Sequence, residues 1–230
     1  MSGFPATLVR MNDDSTLTTI DADLRAADGR IPGKRGRQTR DRLLDATAAM
    51  LANRGYRDLS VVEIARSVET SPATFYQYFG DVEEAILVLA QRMVDDGQAL
   101  RTLVTEANWN GRAARESAEA IVDEFLRFWR HHHAVMRVVD LAIAEGDKRF
   151  RTIRNDLLGP VTEGLRDGLA ALDRTDHDPA AAASVLVSML AHMAEHQAGL
   201  AAWGVKLEEA RETMVGIVHW TITGRKPAAA

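Results

Sequence analysis

Residues 60–79, SVVEIARSVETSPATFYQYF, read as two short helices around a tight turn. Ser60 stands three positions before Glu63, the spacing of a capping box, in which side chains satisfy the amides that a helix start leaves unpaired. Val61, Ile64, Ala65 and Val68 then fall at helical spacing and make one small apolar face. Thr70-Ser71-Pro72 supplies a second cap, with proline at the first helical position, where its missing N–H costs nothing. In the second helix Phe75 and Phe79 lie at i and i+4 and form the buried side. Ser71, Ala73, Thr74, Tyr76, Gln77 and Tyr78 remain for the other surfaces, where such side chains reach phosphates and base edges. With Ser60, Thr70 and Pro72 at the caps, these are the candidate DNA-contacting residues. Phe75 and Phe79 already fill the apolar spacing, so the hydroxyls of Tyr76 and Tyr78 are assigned to phosphates rather than to the core.

Upstream, Lys34 to Arg42 reads as a basic arm, and Lys34, Arg35, Arg37 and Arg40 join the candidate DNA contacts. The arm runs into a helix whose positions Leu43, Leu44, Thr47, Met50 and Leu51 keep the 3.6 period until Gly55 ends it. The formal net charge is −5 over 230 residues, which argues against a polyanionic partner until its distribution is counted. Residues 30–80 hold nine Lys and Arg against five Asp and Glu, a net +4, whereas residues 81–230 hold 17 against 23, a net −6. Affinity for DNA follows the charge presented at the contact face, so the basic segment is the one that counts.

From Gly36 to about Met93 the chain resembles the DNA-binding segment of the TetR family of transcriptional repressors. The resemblance is carried by a first helix around Thr39 to Arg54 ending at Gly55-Tyr56, by the Ser-capped helix, and by the ending Tyr76-Gln77-Tyr78-Phe79. Two positions depart from the family pattern: Glu69 stands where the turn usually has glycine, and Val82 replaces a lysine usually found just after the recognition helix. A non-glycine residue at positive φ there costs roughly 1 kcal/mol. The resemblance implies a homodimeric, ligand-responsive regulator, most simply a repressor that binds a palindromic operator in double-stranded DNA and is released by a small, largely apolar effector.

Downstream, Gly80-Asp81 is expected to cap a long helix from Val82 to about Ala107, close to 40 Å at roughly 1.5 Å per residue. Further helices are expected at about 111–131, 133–145, 147–173, 179–203 and 207–223, with Gly159-Pro160 kinking or splitting the third of these. No strand pattern competes. The fold class is therefore all-α: a three-helix head with the helix-turn-helix at 34–80, joined to a larger helical effector-binding and dimerisation domain at 81–225. Residues 1–33 are expected to be a mobile tail, with a short helix at Thr19 to Ala27 the less favoured alternative, and 226–230 a flexible end.

Ile121, Phe125, Phe128 and Trp129 form one broad apolar face, and Met136, Phe150, Met189 and Met193 add soft or aromatic surface. Such side chains make ordinary core, and equally the adaptable lining of a ligand cavity, which the resemblance implies for this domain. His192-Met193-Ala194-Glu195-His196 spells H-x-x-E-H, the pattern of inverted zinc peptidases. A third ligand and a substrate cleft are not recognisable nearby, so His192 and His196 are assigned to a polar spot in a ligand cavity or at a dimer interface. His131-His132-His133 is expected at a helix end, where it suits the C-terminal dipole. Small residues from Ala180 to Ser184, at Ser188, Ala191, Ala194, Gly216 and Thr221 permit close helix approach, either within the chain or as a homodimer through the last two helices.

There is no cysteine, which excludes disulfides, thiolate catalysis and cysteine-bound zinc. No apolar run is long enough to span a membrane, and acids stand where a signal peptide would be basic, so the chain is expected to be soluble, cytoplasmic and without a membrane partner. No catalytic role, cofactor or resident metal is expected. The competing readings are a metal-dependent hydrolase built on the histidine pair and a DNA-binding module controlled by a protein partner.

Overall fold

The computed structural model describes residues 32–172 and 177–224. The tail, the short helix weighed within it, and the C-terminal end lie outside the described residues. Among those residues the chain is all-α and forms two compact units, a head of residues 32–50 and 57–88 and a body of residues 51–56, 89–172 and 177–224.

In the head, α1 (Lys34–Leu51) starts at the basic run itself, its first turn closed by Arg37 N–H onto the Gly33 carbonyl at 3.0 Å. The expected arm is thus helical. Arg, Lys and Gln are good helix formers, and nothing between Lys34 and Leu51 breaks the helix. A single 3₁₀ turn, Tyr56–Asp58, leads to α2 (Val61–Ser67) and α3 (Pro72–Tyr76). Both caps form as the sequence dictates: Ser60 Oγ accepts from Glu63 N–H at 3.2 Å, and Ser71 Oγ accepts from Thr74 N–H at 3.2 Å. Phe75 and Phe79 are fully buried with Leu43, Leu44, Leu59, Ile64, Ala65, Ala85 and Ile86. Arg42 ties α1 to the turn by donating to the Val68 carbonyl at 2.9 Å.

Glu69, in the turn between α2 and α3, adopts φ 57°, so a glycine position is filled by a residue that pays for its Cβ. Glu69→Gly should therefore stabilise the head by up to about 1 kcal/mol, net of the added freedom of the unfolded glycine. An unchanged or lower urea midpoint would show that the Glu69 side chain offsets the strain.

The helix starting at Val82 ends sooner than expected. It is α4 (Val82–Asp96), capped by Asp81 Oδ1 accepting from Glu84 N–H at 2.8 Å, and it is followed after Gly97 by α5 (Gln98–Thr105). At the break, a Cβ on Gly97 would lie 2.5 Å from Leu157 Cδ1 and 3.0 Å from the Val94 carbonyl oxygen. The chain passes so close to the helix carrying Leu157 that a side chain at this position would require Leu157 to shift.

Conversely, the two helices expected at 111–131 and 133–145 are one, α6 (Ala113–Ala144), 32 residues long. No glycine or proline interrupts it, and Val135, Met136, Val138 and Val139 extend the buried stripe of Ile121, Val122, Phe125, Phe128 and Trp129. The three histidines are therefore mid-helix. His132 is half-buried, packs on Phe128 with ring centroids 4.5 Å apart, and sets Nε2 3.5 Å from Asp96 Oδ2. Burial holds its pKa below the ordinary histidine value. α6 ends in a Schellman turn at Gly146 (φ 96°), where Asp147 N–H reaches the Ala142 carbonyl at 2.9 Å.

α7 (Lys148–Leu172) runs unsplit through Pro160. Its Gly164 and Gly168 admit Val104 and Trp109, each within about 3 Å of where a Cβ would be. α8 (Pro179–Leu200), a 3₁₀ turn at Ala201–Trp203 and α9 (Leu207–Thr223) complete the body. Arg211 joins α9 to α6 through two hydrogen bonds to Asp123, at 2.5 and 2.7 Å. Arg115 adds an ion pair to Glu212 between the same helices.

Candidate nucleic-acid interface and body cleft

In the head, the expected DNA-contacting residues lie on the first turn of α1 and on or beside α2 and α3, and one close approach joins the two stretches. A Cβ on Gly36 would lie 3.2 Å from Tyr78 Oη, so the end of the recognition segment rests against the first turn of α1. Lys34, Arg35 and Arg37 are exposed on that turn, and Arg37 Nη1 donates to the Pro32 carbonyl at 3.1 Å. Ser71, Ala73, Tyr76 and Gln77 are exposed on or beside α3, Tyr76 by 53%. Ser60, Thr70, Pro72, Thr74 and Tyr78 are half-buried, and the Thr74 and Ser71 hydroxyls lie 3.0 Å apart.

Arg40 departs from this group. It is 4% exposed, with its guanidinium 5.3 Å from the Phe79 ring centroid, a cation–π contact inside the head. The reason lies in its register: position 40 belongs to the inward stripe of Leu43, Leu44 and Thr47. Counting charge placed it with the arm, whereas helical period places it in the core. Gly36 and Arg42 were not singled out as functional, although a glycine inside a strongly basic helix start was a signal of close approach.

In the body, Ile121, Phe125, Phe128, Met136 and Phe150 are at most 1% exposed and act as interior packing. Phe125 stacks on Trp129 with centroids 5.3 Å apart, and Arg154, paired with Asp140, lies 5.9 Å over the same indole. Met189 and Met193 are half-buried. His192 and His196 are exposed and stacked on each other at 4.2 Å, and His196 Nδ1 lies 3.0 Å from the His192 carbonyl. Among the described residues no group of three or more His, Cys, Asp or Glu is placed to hold a metal ion.

A cleft of about 430 Å³ opens between α6, α8 and the start of α9, lined by Trp129, Arg130, His133, Ala194, Glu195, Gln197 and Leu207. Of the expected ligand-binding residues, Trp129 alone lines it. Glu195 turns away from the two histidines beside it in sequence and sets Oε1 3.6 Å from His133 Nε2. Burial raises its pKa above the ordinary carboxylate value, and the neighbouring His133 opposes that shift. The sequence held one pointer to this site: in α8, Glu195 is the only Asp, Glu, Lys or Arg.

A capped helix-turn-helix with a basic flank, followed by an all-α body, is the architecture of helix-turn-helix transcriptional regulators. Comparison with known proteins agrees. Residues 43–85 match the model for "Bacterial regulatory proteins, tetR family", and residues 100–229 match "Tetracyclin repressor-like, C-terminal domain". The chain belongs to the TetR family of transcriptional regulators. An uncharacterized HTH-type transcriptional regulator of Haemophilus influenzae is 32% identical over 117 residues, covering 50% of this chain and 55% of that relative, so the match spans about half of its length. Among solved structures, the fatty acid degradation regulator FadR from Bacillus halodurans superposes with TM-score 0.62 at 17% identity, over 84% of this chain and 97% of its own. FadR from Bacillus subtilis, in complex with stearoyl-CoA, gives 0.60 at 14% identity over 80% and 98%. These likenesses are of fold.

Proposed function

We propose that this chain is a homodimeric, effector-responsive repressor that binds a palindromic operator and releases it when a small amphiphilic molecule occupies the body. The observation that carries the reading is the junction at Gly36, where the exposed cations Lys34, Arg35 and Arg37 adjoin the recognition segment. There the cations would hold phosphates, and Ser71, Ala73, Thr74 and Gln77 would face base edges with Tyr76 and Tyr78 on the backbone. Large apolar side chains exposed from α8 to α9, Val185, Trp203, Leu207, Ile217 and Trp220, support dimerisation through the last two helices. The stearoyl-CoA complex of the Bacillus subtilis neighbour supports an effector with an apolar chain.

Capturing genomic DNA on the purified protein and footprinting the recovered fragments tests the reading. A dyad with half-sites one helical turn apart, about 34 to 36 Å, is expected. Footprints without a dyad would exclude the two-fold reader. Effector and operator should then antagonise each other, with a coupling of about 1 to 3 kcal/mol changing operator affinity roughly 5- to 150-fold. Linkage requires the operator to weaken effector binding by the same factor, which calorimetry on the free and operator-bound protein measures. Unequal factors would mean that the molecule acts at more than one site.

A further inference from the structure

Gly36 sits where the helix gains nothing from glycine. It lies in the first turn of α1 without a positive φ, so its backbone is one that any residue adopts, and glycine is among the poorest helix formers. What the position requires is space. A Cβ there would lie 2.8 Å from Pro32 Cβ and 3.2 Å from Tyr78 Oη, both tighter than side chains ordinarily pack. The exposed cations Arg35 and Arg37 flank the glycine, with Lys34 one residue further. Tyr78 is half-buried with its ring beside Phe79, at 6.4 Å between centroids, and among the described residues its hydroxyl has no hydrogen-bond partner.

We propose that Gly36 is a positioning residue for the DNA complex: by carrying no side chain it seats the Tyr78 hydroxyl beside the cations of the first turn, so that both engage one stretch of DNA backbone. The claim rests on the function proposed above in taking Tyr78 to a phosphate. A methyl at position 36 must displace a neighbour. Alanine continues a helix well, which keeps the cations where they are. Pro32 is tied to the same turn, because Arg37 Nη1 donates to its carbonyl at 3.1 Å. The Tyr78 hydroxyl has no such bond to hold it, so it yields. A neutral hydroxyl releases no counterion when it meets a phosphate, and its loss therefore weakens binding equally at every salt concentration.

The test measures the affinity of the full chain for a labelled mixed-sequence duplex across a salt series, since phosphate contacts carry no sequence information. Gly36→Ala should weaken binding about tenfold, the size of one charge-assisted hydrogen bond, with an unchanged slope of log affinity against log salt. The chain should be no less stable to heat. Tyr78→Phe should weaken binding by the same factor, and in that background Gly36→Ala should change affinity by less than about twofold. Wild-type affinity in Gly36→Ala would overturn the proposal, as would factors that multiply in the double variant. A shallower salt slope would show that the cations had moved, and affinity restored by adding Pro32→Gly would place the effect on the entering chain; either result also overturns it. If Gly36→Ala melts too low to assay, Tyr78→Phe and the double variant still decide: equal affinities support the proposal and a weaker double variant sinks it. Genomic capture is a separate measurement. Recovery of no operator would sink the repressor reading and leave the mixed-sequence comparison standing, whereas a captured dyad with wild-type affinity in Gly36→Ala would sink only this proposal.

Discussion

Replacing Lys34, Arg35 and Arg37 together by glutamine will flatten the salt dependence of operator binding. Each cation that neutralises a phosphate releases counterions worth about 0.9 in the slope of log affinity against log salt. Three such contacts per protomer, doubled in a dimer, remove about 5 from that slope. All three side chains are exposed on the first turn of α1, so the fold should survive: surface substitutions of this kind usually change stability by less than about 0.5 kcal/mol. Arg40 supplies the control. Its guanidinium is buried over Phe79, so Arg40→Gln should lower the melting temperature while the folded fraction keeps the wild-type salt slope. A triple variant with an unchanged slope would show that the start of α1 does not touch DNA. A shallower slope in Arg40→Gln would return that side chain to the interface.

The contrast between those cations shows what was legible in the sequence. Caps are local: Ser60 with Glu63 and Ser71 with Pro72 act within four residues, and each formed where its spacing placed it. The strained turn at Glu69 was legible through the family resemblance, whose pattern puts glycine at that position. Arg40 was misassigned because charge was read as a run, when its period with Leu43, Leu44 and Thr47 already turned it inward. The close packing of Gly97 against Leu157 involves a helix far along the chain, which no local pattern reveals. The missing break at His131 to His133 is the converse case, since a polar run without glycine or proline does not stop a helix whose apolar stripe continues through Val139. The cleft was the least legible feature. Its lining joins Trp129 and His133 on α6 to Glu195 on α8, and aromatic or methionine content pointed instead at Phe125, Met136 and Phe150, which fill the interior.

Placing one acid on each of the last two helices, Val185→Glu with Trp220→Glu, should yield a monomer that no longer distinguishes a full operator from a half-site. Val185 is 67% and Trp220 51% exposed in the single chain, so neither change leaves a large cavity, and the fold should be retained. An isologous contact doubles every substitution: each new carboxylate recurs across the two-fold axis, where like charges desolvate together. Once the protomers separate, the second half-site is no longer bound at the high effective concentration that linkage provides, and affinity for the full dyad should fall by about 10² to 10⁴. Affinity for an isolated half-site should stay as it was, because the head residues are unchanged. Sedimentation velocity and paired titrations of full and half operator measure both quantities. A variant that still sediments as a dimer and still prefers the full dyad would place the protomer contact away from α8 and α9. A variant that sediments as a monomer yet keeps that preference would show that protomers assemble only on DNA, with the head itself supplying the cooperative contact.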